Sequence, residues 1–437
     1  MTTDTKMTID EQYIRSFSNK HNEPDWFTQF RLDAFGKVDE LAMPKPDKTR
    51  ITNWNFTEFP KHEAEVRTFK SLSDLPEVAK SVVDMEESNQ NLYVQYNHQA
   101  AYVSLSDQLK AQGVIFTDLF SAVAEHPDLV KKYFMTDAVK VDEHKLTAFH
   151  AALVNGGAFL YVPKNVQITE PVQAVYIFDD KDAAMFNHVL IVADDNSSVT
   201  YVENYLSTNE EVNAIVNIVS EVIANHNAKV VYGAVDTLAK GSTVYVNRRG
   251  ITGRDARLDW ALGLMNDGNT IAETTTNLIG EGSNGDTKTV VIGRGSQTQN
   301  FTTSIVHSGR HTEGFILTHG VMKDAASSIF NGIGKIEKGA SKANANQESR
   351  VLMLSEKARG DANPILLIDE DDVMAGHAAS VGRVDPLQLF YMMSRGIPKA
   401  DAERLIIHGF LAPVVEKLPI EAVKRQLVEI IERKVQS

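Results

Sequence analysis

From Ala158 to about Arg350 the chain passes through one short β-branched run after another: FLYVP, AVYIF, HVLIVA, SVTYVENY, IVNIVSEVIA, KVVYGAV, STVYVN and TVVIG. Asn, Asp, Gly and Ser separate the runs, and helical periodicity is almost absent, so roughly 200 consecutive residues must fold as strands. A sandwich, a large barrel or a β-helix all satisfy that pattern. Two details favour a β-helix. Many runs are apolar at alternate positions while the flanking turns carry Asn196, Asn266, Gly268, Asn269, Gly282, Asn284 and Gly285, residues suited to stacked tight corners. Polar-rich strands such as Glu273–Ser283 and Gln299–Gly309 suit the exposed faces of a solenoid. No fixed period emerges, so the usual repeat signature is missing.

Both ends read as helical. At the N-terminus Trp26, Phe27, Phe30 and Phe35 precede an extended connector punctuated by Pro44, Pro46 and Pro60 around Trp54, Asn55 and Phe56. Ser106 and Thr117 have the character of N-caps, Pro127 opens a helix, and Asp142 caps a segment carrying Leu146, Phe149, His150 and Leu153 that Gly156 and Gly157 end. At the other end one helix runs from Pro386 to about Arg395 and a second from Lys399 through Ala412, with Leu405, Ile406, Phe410 and Leu411 as its apolar stripe. A last helix after Pro419 puts Ile420, Val423, Leu427, Ile430, Ile431 and Val435 on one face. The expected organisation is a helical domain with an extended connector over 1–157, a β core over 158–384 and a helical domain over 385–437. The short helical end must bury its apolar face on the β domain or on another protein.

A content of 43% hydrophobic and 8% aromatic residues in 437 is ample for ordinary cores. No apolar run approaches the length of a bilayer span and the segment MTTDTKMTIDEQ lacks the core of a signal peptide, which makes the cytoplasm the expected location and a membrane partner unexpected. A formal charge of −14, with no basic stripe, argues against nucleic acid. The chain has no cysteine, which excludes disulfides, thiolate nucleophiles, zinc knuckles and any self-contained cysteine-ligated cluster. Phosphate-binding loops and a Gly-x-Ser-x-Gly elbow are likewise absent.

Chemistry-bearing residues concentrate in Asp369–Gly396, DEDDVMAGHAASVGRVDPLQLFYMMSRG. Four acids precede a glycine-flanked segment, read as a loop, that holds His377, and Asp385-Pro386 then opens a helix. Spacing alone favours a local hydrogen-bonding role for His377; small neighbours also leave its imidazole free to approach a metal or a partner. Asp369, Glu370, Asp371 and Asp372 suit a hard cation in principle and a solvated turn more simply, because adjacent side chains of extended chain diverge. His307, His311 and His319 lie too far apart along strands to share one ion and read as surface or structural residues.

The same segment resembles the C-terminal signature of the SufB/SufD family, approximately Asp-Val-x-Cys-x-His-Gly-Ala-x-x-Gly. Asp372, Val373, His377 and Gly382 keep its frame, while Ala375 stands where the family often has cysteine. The run from Leu389 to Phe410, LFYMMSRGIPKADAERLIIHGF, is similar to the family's Leu-Phe-Tyr-x-x-Ser-Arg-Gly-Ile pattern, with weaker similarity over His188–Tyr205 and Trp54–Phe56. The resemblance implies a right-handed parallel β-helix core flanked by N-terminal and C-terminal helical domains. It also implies a scaffold without catalytic residues, in a complex of SufB, SufC and SufD that builds iron–sulfur clusters, with ATP hydrolysis left to SufC. Lacking a thiol, the chain falls with the SufD rather than the SufB branch. His377 then lies at the SufB contact as a tentative iron or cluster ligand, and Leu405, Ile406, Phe410 and Leu411 are candidates for docking SufC. No tightly held cofactor is implied; an iron ion or cluster would be shared transiently with SufB, and a flavin is left open. ATP-driven closure of SufC subunits would pull on the C-terminal helices and open the SufB/SufD contact. Two other readings compete: a β-helix carbohydrate-active enzyme with a solenoid groove, and a structural protein that forms homodimers through its C-terminal helices.

Overall fold

The computed structural model describes residues 6–83 and 91–436. Ahead of the core lie α1 (Glu11–Lys20), α2 (Asp25–Lys37), α3 (Glu77–Lys80), β1 (Asn91–Tyr96), β2 (Gln99–Ser104), α4 (Asp107–Ala111), β3 (Ile115–Asp118), α5 (Leu119–Glu125), α6 (Pro127–Tyr133) and α7 (Lys145–Leu153). The core strands are β4 (Gly156–Val162), β5 (Val172–Phe178), β6 (Met185–Ala193), β7 (Ser198–Ser207), β8 (Ile215–Ala224), β9 (Lys229–Thr237), β10 (Thr243–Thr252) and β11 (Arg257–Leu264), followed by β12 (Asn269–Leu278), β13 (Asn284–Gly293), β14 (Thr298–His307), β15 (Glu313–Met322), β16 (Ser327–Ile336), β17 (Asn344–Met353), β18 (Arg359–Ile368) and β19 (Met374–Arg383). The chain ends in α8 (Pro386–Ser394), α9 (Lys399–Val415) and α10 (Glu421–Gln436).

From β4 onward the even-numbered strands form one parallel sheet and the odd-numbered strands from β5 the other, so each turn of chain lays one strand on each of two facing sheets. This is the β-helix, with about eight turns. Turn length varies: Thr243 pairs with Asn269, 26 residues on, whereas Ser327 pairs with Arg359, 32 residues on. That irregularity hides the repeat from the sequence. The corners carry it instead: Asn165, Asn196, Asn227, Asp255, Gly282, His311 and Lys342 all have positive φ, one on each successive turn. Asn227 donates to the Asn196 side chain at 2.9 Å and Asn196 to Asn165 at 3.1 Å, a stacked amide ladder along one corner.

At the first turn β1 pairs with β5 in parallel and with β2 antiparallel, while β3 pairs antiparallel with β4. Strands thus extend into the N-terminal region, which the sequence had suggested was helical. Phe27, Leu32, Val123 and Phe149 from the helices pack on Phe186, Leu190 and Ile223 of the even sheet. Arg31, fully buried, holds this layer together by bonding Glu23 and the carbonyls of Ala152 and Val154. The proline connector straps the same sheet further along, where Ile51 and Phe56 meet Tyr245 and Ile271 and Asn300 donates to the Asp47 carbonyl. Two caps differ from expectation: Asp118 rather than Thr117 accepts from the first turn of α5, and His144 rather than Asp142 from α7.

The C-terminal helices lie on the outer face of the odd sheet, where Leu411, Val414, Val423, Leu427 and Ile431 cover Val202, Val235, Ala261 and Val290. Two glycines admit α10: a Cβ on Gly263 would sit 2.2 Å from Leu427 Cδ2, and one on Gly233 would sit 2.6 Å from Ile420 Cδ1. Between the sheets the filling changes along the axis. Tyr176, Tyr201, Tyr205, Tyr232 and Trp260 pack the first turns; further along, Thr287 follows Trp260 in register, and in the adjoining lumenal column Leu262 gives way to Thr289, Thr318 and Ser349.

Candidate functional site at the open end of the solenoid

The two sheets end without a cap. Among the described residues β18 pairs only with β16 and β19 only with β17, leaving two strand edges unpaired at the same end. Leu367, Ile368, Met374 and Val381 are exposed there, Met374 at 66%. The segment read as a loop is β19 itself: Met374 through Arg383 pairs in unbroken register with β17 because Gly376, Ala375 and Ala378 fit an extended rung as readily as a turn. Its small residues and its His misled the reading, since they lack the β-branched signature of a strand.

His377 occupies a position whose register neighbours, in order, are Gln347, Ile316, Thr287, Trp260, Tyr232 and Tyr201. Those residues fill the space between the sheets, so His377 belongs to the lumen-facing column and is exposed only because no further turn covers it. Ala375 stands two residues before it, in the adjoining lumenal column behind Ala345. The acids form a braced turn. Glu370 accepts from the Gly339 and Asp371 amides, which hold its carboxyl below the usual range, and Asp372 pairs with Lys342 at 2.9 Å. Among the described residues no three His, Asp or Glu side chains converge to hold a metal.

Directly after β19, Val384 and Asp385 lead into α8, with Asp385 capping it through the Leu387 amide. α8 leaves Leu387, Phe390 and Tyr391 exposed, Phe390 at 68%, and Gly396 at φ +89° stops it before α9. Of the α9 stripe, Leu405 is 48% exposed, Ile406 and Phe410 are half-buried and Leu411 is 1% exposed. Phe410 packs on His319, ring centroids 4.9 Å apart, and its carbonyl meets His319 Nδ1 at 2.8 Å. His307 and His319 are buried structural residues; His311 sits at a positive-φ corner.

Two buried polar clusters escaped the sequence reading. Arg248 Nη2 donates to Glu203 Oε1 at 2.9 Å and to both Asp236 oxygens at 2.9 and 3.0 Å, bridging the two sheets with no exposure of any of the three. Burial pushes Glu203 up to about 7 against the pull of Arg248. Beneath the N-terminal helices His150 Nε2 meets His188 Nδ1 at 3.1 Å and His188 Nε2 meets Glu221 at 3.0 Å, while Glu221 accepts from the Met135 and Val139 amides. Burial lowers His188 to about 3 and raises Glu221. A signal was present: charged residues inside otherwise apolar strands are either paired or misassigned. On the outer face of the odd sheet a shallow groove of about 220 Å³ is lined by Arg257, Asp259, Asp286, Glu313 and Phe315. Its Arg257 is paired with Asp259 at 2.8 Å, and its Asp286 is paired with Lys288 beside it.

Among the described residues no helix is long and apolar enough to cross a membrane. The family model for the SUF system FeS cluster assembly SufBD core domain matches residues 176–410, and that for the SufBD protein N-terminal region matches 7–174. The chain is 67% identical to the iron-sulfur cluster assembly protein SufD of Bacillus subtilis, over 100% of both chains. It is also 28% identical to an iron-sulfur cluster assembly SufBD family protein of Staphylococcus saprophyticus and 29% identical to one of Staphylococcus aureus, each over 94% of this chain and 90% of the relative.

Proposed function

The chain belongs to the SufBD family, and from that premise we propose that it is a SufD-type scaffold subunit, without catalytic residues of its own, that helps a SufB-like partner assemble iron–sulfur clusters in the cytoplasm. The single observation that carries this reading furthest is the uncapped end of the solenoid, where two free strand edges, an apolar rim and His377 meet. Free edges adjoin another sheet readily, and main-chain pairing across such a junction gives both affinity and register. A partner solenoid seated there would cover Met374 and Val381 and bring its own side chains to His377.

The absence of any thiol defines the division of labour. Sulfur must be carried by the partner, and the iron or nascent cluster is cargo for which this chain offers one imidazole. The C-terminal helices supply the second surface. Leu405 on α9 and the exposed residues of α8 would receive a SufC-like ATPase, while Leu411 is already committed to the flank of the solenoid and Ile406 and Phe410 are half committed. Only two residues separate β19 from α8. A pull on α8 during ATP-driven closure would therefore load β19 directly and loosen the junction around His377.

Co-expression with SufB-like and SufC-like proteins tests this reading. The wild-type chain should co-purify with both. Leu405→Asp should lose the ATPase while keeping the melting temperature, and His377→Ala should keep the complex but yield less cluster. A chain that associates with neither partner and instead forms a stable dimer of itself through the open end would overturn the proposal.

A further inference from the structure

One buried polar chain runs between the N-terminal helical layer and the even sheet. Asn217 Nδ2 donates to the Leu146 carbonyl at 3.2 Å, Asn217 Oδ1 meets His150 Nδ1 at 3.0 Å, His150 Nε2 meets His188 Nδ1 at 3.1 Å and His188 Nε2 meets Glu221 Oε2 at 3.0 Å. All four side chains are buried, and contacts this short leave no room for water between them. An acceptor closes each end, a carbonyl at one and a carboxyl at the other, and turning the Asn217 amide over would only set its oxygen against the Leu146 carbonyl. Each of the four gaps needs one hydrogen. Asn217, a neutral His150 and a neutral His188 supply one apiece, so an ionised Glu221 would leave two lone pairs facing each other in the last gap, a costly arrangement away from water.

The chain therefore carries one extra proton. Burial favours its resting on the carboxyl: Glu221 is raised to about 8 although the Met135 and Val139 amides pull the other way, and His188 is lowered to about 3. The charged groups packed nearby do not replace it, because Arg249 on the even sheet is matched by Glu143 at 2.8 Å and Arg31 on α2 by Glu23 at 2.6 Å. We infer that this proton latches the N-terminal layer to the solenoid and that alkaline pH releases the latch. Glu221 is the fixed point of the contact. Its carboxyl accepts from the Met135 and Val139 amides at 2.7 and 3.0 Å, Met135 sits at a positive φ of 49°, and Phe134 lies on the His188 ring with centroids 4.3 Å apart. Once the proton leaves, a carboxylate without a matching cation is confined beneath this segment, and opening the segment to water relieves it. An exposed Glu221 is already ionised near pH 7, so the closed state holds one proton more than the open one. Opening is then favoured about tenfold per pH unit from about pH 6.5, where exposed histidines have become neutral, up to the closed-state pKa of about 8.

Amide hydrogen exchange in the full chain, corrected for its ordinary base catalysis, tests the latch. Protection of Met135 and Val139 should fall about tenfold between pH 7 and pH 8. Glu221→Gln offers His188 a hydrogen that pH cannot remove, so its exchange should show no such slope, although the Met135 amide loses its acceptor and is less protected throughout. A flat wild-type profile over that range, or an equal slope in the variant, would overturn the inference. A second measurement needs no variant: side-chain carbon and nitrogen NMR shifts of Glu221, His150 and His188 at pH 7 count the proton directly. A protonated Glu221, or an imidazolium at either histidine, is the expected result, and two neutral rings beside an ionised Glu221 would overturn it.

Discussion

Arg248→Met is the perturbation with the largest consequence for the solenoid. Arg248, Glu203 and Asp236 are wholly buried, and one guanidinium nitrogen serves both carboxylates. Removing it leaves two acids in the lumen beside Tyr201, Tyr205 and Tyr232, and breaking a buried pair in this way costs about 3–5 kcal/mol. The loss must depend on pH. Burial already raises Glu203 to about 7, above its unfolded value of 4.5, so the folded state favours the proton and stability falls as pH rises from about 4.5 through the folded pKa. Without Arg248 both acids rise further, and the destabilisation at pH 8 should exceed that at pH 6. Denaturant unfolding of the wild type and variant at the two pH values measures it. Replacing all three residues, as Arg248→Met with Glu203→Met and Asp236→Leu, should recover most of the loss, because apolar side chains of similar volume carry no desolvation penalty. An unchanged midpoint for Arg248→Met, or a larger loss at pH 6 than at pH 8, would refute this account of the triad.

Further outcomes follow from the same geometry. His62, His150, His188 and His307 are buried with folded pKa values lowered by desolvation, so their neutral forms support the fold above about pH 6.5 and that support is lost as pH falls, outweighing the opposite contribution of the buried Glu203 and Glu221, whose pKa values burial raises; a melting temperature that stays flat between pH 7 and 5 would contradict this. Gly263→Val should lift α10 from its notch at a cost of about 1–3 kcal/mol, read as a lower unfolding midpoint and faster proteolysis after Pro419.

The strand core and the helical ends were legible because strand chemistry and helical stripes are local, whereas the choice of a β-helix over a sandwich or a barrel rested on the family resemblance. The repeat was not legible, because turns of unequal length spread the positive-φ corners irregularly, and Asp255, His311 and Lys342 do not announce a corner as Asn196 does. His377 could be singled out by its neighbours and by resemblance, yet its place on β19 depended on pairing with β17, a contact from 30 residues earlier that composition cannot reveal. Leu411 looked like its stripe partners, and only the position of the odd sheet separates it from Leu405. The Arg248 triad joins residues from three strands, and its partners become neighbours only once the chain has coiled.

The central claim is that the open end of the solenoid receives a SufB-like partner. Amide hydrogen exchange over residues 366–383, measured with and without that partner, tests it most directly. The account predicts protection concentrated on the free edges of β18 and β19 and around His377 when the partner is bound. A complex that forms while these amides exchange as in the free chain would place the interface elsewhere and contradict it.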